Sequence, residues 1–447
     1  MRALLFVLSI ILFFSSCQNT SESKASKSFV FSNESLSDAV IYEVNIRQFT
    51  KEGTFKAFQE FLPQLKALGV DILWFMPIHP IGKKNRKGTL GSYYSISDYR
   101  GINPEFGTID DFKALVDAAH DLEMFVMLDW VAGHTAWDHP WITAHPDWYI
   151  KDENGNIIPP NPDWSDVAGL NFDNTEMLQA LEDDMAYWVE EVDVDGYRCD
   201  AAYNISIPFW KKAIARLNAI KPVVMLAESD GNHKGGYPLI ELFHMSYDWA
   251  GHHILNQVAQ GKMNATDLAD HLVAVQKNYN PRHAVMSFTS NHDENSWNGT
   301  VEERMGDASE LMAVLTYAMP SVPLIYSGQE YGLNKRLKFF EKDFIPKTES
   351  SFMLLYKTLN KLKESTSALD VGVNPATISL LSHDNENVLA FSRTKGDDTL
   401  FFIGNCSATP QTVRLEIKGT YSDVFQDSQL SLSEVKLAPW EYVLATN

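Results

Sequence analysis

The chain is poor in cysteine. Cys17, Cys199 and Cys406 are the only three in 447 residues, too few for a disulfide framework and without the paired spacing of a structural zinc site. Basic residues are also scarce: 37 Lys and Arg stand against 58 Asp and Glu, a formal charge of −21. A polyanion would be repelled unless a local basic patch reversed the field, so no nucleic-acid partner is expected. There is no low-complexity bias, and 45% hydrophobic residues exclude wholesale disorder. The N-terminal apolar run, Ala3 to Phe14, falls short of the roughly 20 residues that a bilayer span requires. The length exceeds what one small core needs and suits an α/β barrel with additions.

That apolar run follows Arg2 and reads as the core of a secretory signal peptide, residues 1–16. It ends in Phe14-Ser15-Ser16-Cys17, which resembles the lipobox of bacterial lipoproteins, although Phe14 stands where Leu is usual. The resemblance implies that Cys17 is lipidated and becomes the mature N-terminus. A Ser-rich polar stretch follows, and residues 17–37 are expected to form a flexible tether. The protein is thus expected to be exported and anchored by lipid to a bacterial membrane, the outer membrane foremost, on its periplasmic or cell-surface side.

From about residue 38 to 366, apolar strand-like runs alternate with segments of helical spacing such as Phe55–Leu68 and Ile109–Leu122. The strand candidates are Val40–Ile46, Val70–Pro77, Met124–Trp130, Val194–Arg198, Val223–Ala227, Phe243–Tyr247, Ala284–Phe288 and Pro323–Tyr326. Eight such units predict an α/β fold, a closed (β/α)8 TIM barrel whose strands are covered on both faces. The rhythm breaks at 131–172, a proline-rich insertion after the third strand. Residues 367–447 read as a C-terminal all-β sandwich, with strands at Val388–Ser392, Thr399–Ile403, Val413–Ile417 and Tyr442–Ala445.

Catalytic residues of such barrels stand at the C-terminal strand ends. Here four strands run into acids: Asp129, Asp200, Glu228 and Asp293, with His134 and His292 near two of them. Any one alone reads equally well as a helix cap or ion-pair partner. Together they suit retaining glycoside hydrolysis, in which one carboxylate attacks the anomeric carbon and a carboxylic acid about 5–5.5 Å away protonates the departing oxygen. Arg198 shares a barrel face with Asp200 by strand alternation and would hold it ionised and oriented. Glu228 follows the apolar Met225-Leu226-Ala227, and neighbouring negative charge favours its protonated form. Asp200 is therefore the candidate nucleophile and Glu228 the acid/base.

These four segments, Asp129 to His134, Gly196 to Asp200, the stretch ending at Glu228, and Phe288 to Asp293, resemble in order the signature regions of the α-amylase superfamily, glycoside hydrolase family 13. The resemblance runs from about residue 38 to the C-terminus. It implies Asp200, Glu228 and Asp293 as nucleophile, acid/base and transition-state stabiliser, Arg198 as orienter of the nucleophile, and His134 and His292 as ligands of the sugar being cleaved. Tyr94 matches the family's stacking tyrosine, Asp129 joins the substrate-binding set, and Gly328-Gln329-Glu330-Tyr331-Gly332 is a further family-like run. The implied substrate is an α-glucan or maltooligosaccharide. A transglycosylase or isomerase of the same superfamily, or a non-catalytic glucan-binding lipoprotein, are the alternatives.

Two departures stand out. Gly133 occupies the position before His134 where the family usually carries an Asn that ligates structural calcium. No metal is therefore assigned, and the acid-rich stretches Asp152 to Asn156 and Asp163 to Asp173 are the remaining places for one, the first reading more simply as a turn. Tyr203-Asn204 stand where starch-cleaving amylases tend to have Lys-His, so the acceptor side of the cleft differs. The insertion's Trp137, Trp141, Trp148 and Trp164 read either as a sugar-binding wall or, more simply, as its own core. His139 and His145 lack metal spacing, Cys199 and Cys406 read as packed, and Phe339-Phe340 read as core. Linkage, chain length and oligomeric state are left open.

Fatty-acid labelling of the full chain in a bacterial host is expected, and Cys17→Ala should abolish it; undiminished labelling of that variant would remove the anchor.

Overall fold

The computed structural model describes residues 29–426 and 428–447; Cys17 and the leader lie outside them. Eight parallel strands close into a barrel: β1 Ile41–Val44, β2 Ile72–Phe75, β3 Phe125–Trp130, β4 Gly196–Cys199, β5 Val224–Ala227, β6 Met245–Tyr247, β7 Ala284–Ser287 and β8 Ser321–Tyr326. Each pairs with its neighbours in chain order, and β8 returns to β1 through Ile41 opposite Leu324. All are buried from end to end, as the continuous apolar runs require of strands covered on both sides. Alternate residues point inward, so Trp74, Met127, Leu226, Tyr247 and Met286 fill the barrel. The opposite set, including Phe75, Leu128 and Tyr197, meets the surrounding helices.

The helices follow their sequence signals. Ile109–Asp121 starts at Thr108, whose side chain and that of Asp111 cap each other's backbone N–H groups. The single helix expected over Phe55–Leu68 is two pieces, Phe55–Gln59 and Leu62–Leu68, because Pro63 has no N–H to continue a helix and sits in the first turn of the second piece.

The barrel's lower mouth is closed by residues placed within the tether by sequence. Phe31 and Leu36 are buried among the interior side chains. Phe29 stacks on Phe125 at 4.2 Å, and Phe31 meets Phe125 and His244 edge-on. Packed structure therefore includes 29–37: two aromatic rings offered to an open apolar barrel end outweigh the polarity of the chain around them.

The insertion after β3 is an antiparallel ribbon, His134–Ala136 with Val167–Gly169, over an aromatic cluster in which Trp141 packs on Trp148 and Tyr99. C-terminal to the barrel, a six-stranded antiparallel sheet carries a two-stranded antiparallel sheet, Gln411–Arg414 with Glu434–Leu437, against its face. All four strands expected there have counterparts. Thr377–Leu380, Tyr421–Asp423, Gln429–Leu430 and Glu434–Leu437 were not expected, each being four residues or fewer. Arg393, wholly buried, joins sheet to barrel by donating to the carbonyls of Ala318 and Met319 at a helix C-terminus and of Asp370.

Phe31→Ala should cost about 3 kcal/mol through the cavity it leaves, seen as a lower thermal midpoint with kcat preserved; an unchanged midpoint would show that the floor contributes nothing.

Candidate active site

The site is built on one buried cation. Asp129 on β3 is the register partner of Arg198 on β4, so the two inward-facing side chains meet at one level of the barrel. Arg198, with 0% side-chain exposure, places Nη1 2.9 Å from Asp129 Oδ1 and 2.9 Å from Asp200 Oδ1. Its Nη2 lies 2.9 Å from Glu228 Oε2, although off the hydrogen-bond direction. Nε donates to the Tyr247 hydroxyl, and the guanidinium lies over the Trp74 ring. One guanidinium thus bonds the carboxylates of Asp129 and Asp200 and lies against the carboxyl of Glu228, as a buried charge needs partners to persist.

The carboxyls are not equivalent. Burial pushes the Glu228 acid up to about 8, the charges of Asp200 and Asp293 adding to the effect and Arg198 opposing it. Its Oε2 also accepts from the backbone N–H of Ala201, which sits at φ +42°. Burial raises Asp129 to about 6 against the pull of Arg198. Asp129 also accepts from Tyr94 Oη at 3.0 Å and Trp74 Nε1 at 3.3 Å, and it lies sealed beneath the cleft.

The histidines differ in charge. Burial holds His134 below its usual value, so its neutral ring donates from Nε2 to the Tyr94 carbonyl, 3.1 Å away. For His292, burial also disfavours charge, but Asp293 and Glu43 outweigh it and lift the ring to about 9. Its Nδ1 is 2.6 Å from Glu43 Oε1, its Nε2 is 2.8 Å from Tyr94 Oη and 3.4 Å from Asp293 Oδ2. Tyr94 stacks on the His292 ring at 5.4 Å. Above them opens a cavity of about 300 Å³ lined by Tyr94, His134, Asp200, Glu228, His292 and Asp293. All eight residues expected from sequence are therefore in one cluster at the C-terminal end of the barrel.

Residues 18–218 match the family model described as Alpha amylase, catalytic domain. The whole chain is similar to a solved alpha-amylase from Lactobacillus plantarum, at 30% identity and a TM-score of 0.83, covering 93% of this chain and 100% of that one. The chain belongs to the α-amylase family. Relatives of this α-amylase family enzyme include "Alpha-amylase MalA" of Haloarcula japonica, 28% identical over 85% of this chain and 57% of that protein. They also include an alpha-1,4-glucan:maltose-1-phosphate maltosyltransferase of Rhodospirillum rubrum, 36% identical over 43% of this chain and 31% of that protein. The chain thus spans little more than half of the first and a third of the second.

This family member carries features that sequence reasoning missed. Glu43 is wholly buried on β1 and bonded to His292; a lone carboxylate inside an otherwise apolar strand was the available signal. Trp297, 53% exposed, and Phe339 and Phe340, read as core, instead line the cleft. Of the four insertion tryptophans, Trp164 lines the cleft, Trp148 is core, Trp141 packs on it, and Trp137 bonds the Ser165 carbonyl. Tyr203 lies in the cleft and stacks on His233 at 4.6 Å.

The usual calcium position has lost one side-chain ligand. Gly133 brings no side-chain oxygen, and the space a side chain would take there is open. The Asp152 carboxylate is occupied by the N–H groups of Asn154 and Asn156 in a tight turn, and Asp166 pairs with Lys87. Among the described residues no three His, Cys, Asp or Glu side chains converge on a metal-sized space.

Because Glu228 must hold a proton to donate it, kcat/KM on maltooligosaccharides should fall as pH rises through about 8. An aryl glucoside whose leaving group needs no proton should show a weaker limb; full activity well above that pH would contradict the assignment.

Proposed function

We propose that this enzyme is a retaining α-glucan hydrolase, cleaving α-1,4 or α-1,6 glucosidic bonds of starch, maltodextrins or related oligosaccharides. The reading is supported above all by the guanidinium bridge of Arg198, which gathers Asp200 and a protonated Glu228 into one small space. Retaining chemistry uses such a pair, with the carboxyls about 5–5.5 Å apart.

In the proposed cycle, Asp200 Oδ attacks the anomeric carbon while Glu228 gives its proton to the departing glycosidic oxygen. The resulting glucosyl ester holds the sugar on Asp200. Glu228, now a carboxylate, takes a proton from water, whose oxygen attacks the anomeric carbon and releases Asp200. Asp293 and His292 hold the sugar hydroxyls from the β7 side, His134 from the β3 side, and Tyr94 faces the ring. Trp164, Trp297 and Phe339 offer apolar surface to further glucose units.

A neutral donor is favoured over a phosphorylated one. Lys87, the lysine on the cleft wall, is paired with Asp166 at 3.2 Å, and Arg198 is wholly buried among Asp129, Asp200 and Glu228. Transfer to a sugar hydroxyl instead of water is the second reading, supported by Tyr203, which stacks on His233 and shares the cleft wall with Glu228, where its ring would meet an acceptor sugar. We also propose an exported enzyme, lipid-anchored through Cys17, as the Ala3–Phe14 run and the Phe14-Ser15-Ser16-Cys17 motif support; no helix among the described residues is long and apolar enough to cross a membrane.

Asp200→Asn and Glu228→Gln are each expected to lower kcat by about a thousandfold or more with an unchanged melting profile. On maltoheptaose, the first products should be shorter α-anomers; β-anomers would overturn the retaining mechanism, and products longer than the substrate would favour transfer. Starch and pullulan as parallel substrates separate the two linkages.

A further inference from the structure

The Glu43 carboxylate has 0% exposure, and Oε2 has no hydrogen-bond partner. An anion so placed persists only beside a cation, and the group in contact is His292 Nδ1 at 2.6 Å. The other ring nitrogen also faces acceptors. Tyr94 carries one phenolic proton, burial and Asp129 hold that phenol well above its usual range, and the proton points to Asp129 Oδ2 at 3.0 Å. Tyr94 Oη can then only accept from His292 Nε2, which also lies 3.4 Å from Asp293 Oδ2. Both ring nitrogens are consistently donors when the ring is an imidazolium.

We propose that Glu43 is a positioning residue for the reaction: from β1 it holds His292 as a doubly protonated ring and aims the outward N–H at Tyr94, Asp293 and the sugar. The groups around the ring are Glu43 from β1, Tyr94 from the β2 loop, Asp129 from β3, Arg198 from β4 and Asp293 from its own loop. Arg198 opposes the charge; the acids favour it. The contacts continue from His292 through Tyr94 and Asp129 to Arg198 and Asp200. Glu43 thus stands at one end of a hydrogen-bonded chain whose other end is the nucleophile, and its loss should be felt there as well as at His292. This role rests on the glycosidase reading above, but the charge of His292 is measurable without turnover.

Glu43→Gln tests it, since the amide keeps the size and an acceptor oxygen while removing the charge. Histidine ring nitrogens labelled with ¹⁵N, with His292 assigned by its loss in His292→Asn, report the charge directly. In the unaltered enzyme the His292 ring should remain doubly protonated from about pH 6 to about pH 8; in Glu43→Gln it should titrate to neutral inside that range. The variant's kcat should fall roughly tenfold or more and its alkaline limb should move to lower pH. A neutral His292 in the unaltered enzyme overturns the proposal, as does a variant whose ring stays charged and whose pH profile is unmoved. If the variant does not fold, the unaltered enzyme's spectrum alone decides. An enzyme with a charged His292 that neither cleaves nor transfers α-glucan would sink the glycosidase reading and leave the role of Glu43 in charging His292 intact.

Discussion

A guanidinium with no access to water is costly to bury, and the architecture around Arg198 answers that cost. Three carboxylates surround it, drawn from the ends of three strands, with Tyr247 Oη and the Trp74 face completing its surroundings. Removing the cation would leave several buried anions uncompensated, a loss of several kcal/mol. The strand register that sets Asp129 opposite Arg198 is therefore specified by electrostatics as well as by apolar pattern. A one-residue slip would turn the guanidinium into the layer where Cys199 and Tyr197 pack.

That coupling explains what could be read from the chain. The strands were legible because parallel barrel strands are apolar on both faces, and the acids because they interrupt those runs at the same relative place. Arg198 and Asp200, two apart, had to share a face. Glu43 was harder: it lies within the strand, and its partner is 249 residues away, so only closure of β8 against β1 brings it into the site. Trp297, Phe339 and Phe340 were illegible for another reason. They stand on long loops after β7 and β8, where the path depends on loop–loop packing that no short pattern encodes. The Phe29 and Phe31 floor belongs with them: a local reading sees two aromatics in a polar tether, and only a closed barrel supplies the hole they fill.

The insertion illustrates how the fold divides its aromatics. Trp148 and Trp141 hold it together, at the edge of Tyr99 and above the helix layer. Trp164, past the ribbon's outer turn, is left with 37% exposure beside His134. Its neighbours carry the packing, which leaves its face on the cleft. The same division holds for Tyr203, half-buried against His233 with its other side on the cleft.

Counting charges at the site gives two cations, Arg198 and His292, against the carboxylates of Glu43, Asp129, Asp200 and Asp293, with Glu228 protonated. The excess is negative and lies partly beneath the cleft floor, where Glu43 and Asp129 are sealed, and partly on the cleft wall, where Asp293 is 38% exposed. Such a field has two effects on one reaction. It discourages ionisation of Glu228, and in the proposed reaction it would keep that proton available for the leaving oxygen and favour the positive charge of an oxocarbenium-like transition state. A fully neutralised site would lose both effects, and a more negative one would expel Asp200 or Asp129 from the barrel. Arg198 and His292 therefore set the balance. They hold the anions in place while leaving enough of their charge uncompensated to act on the sugar.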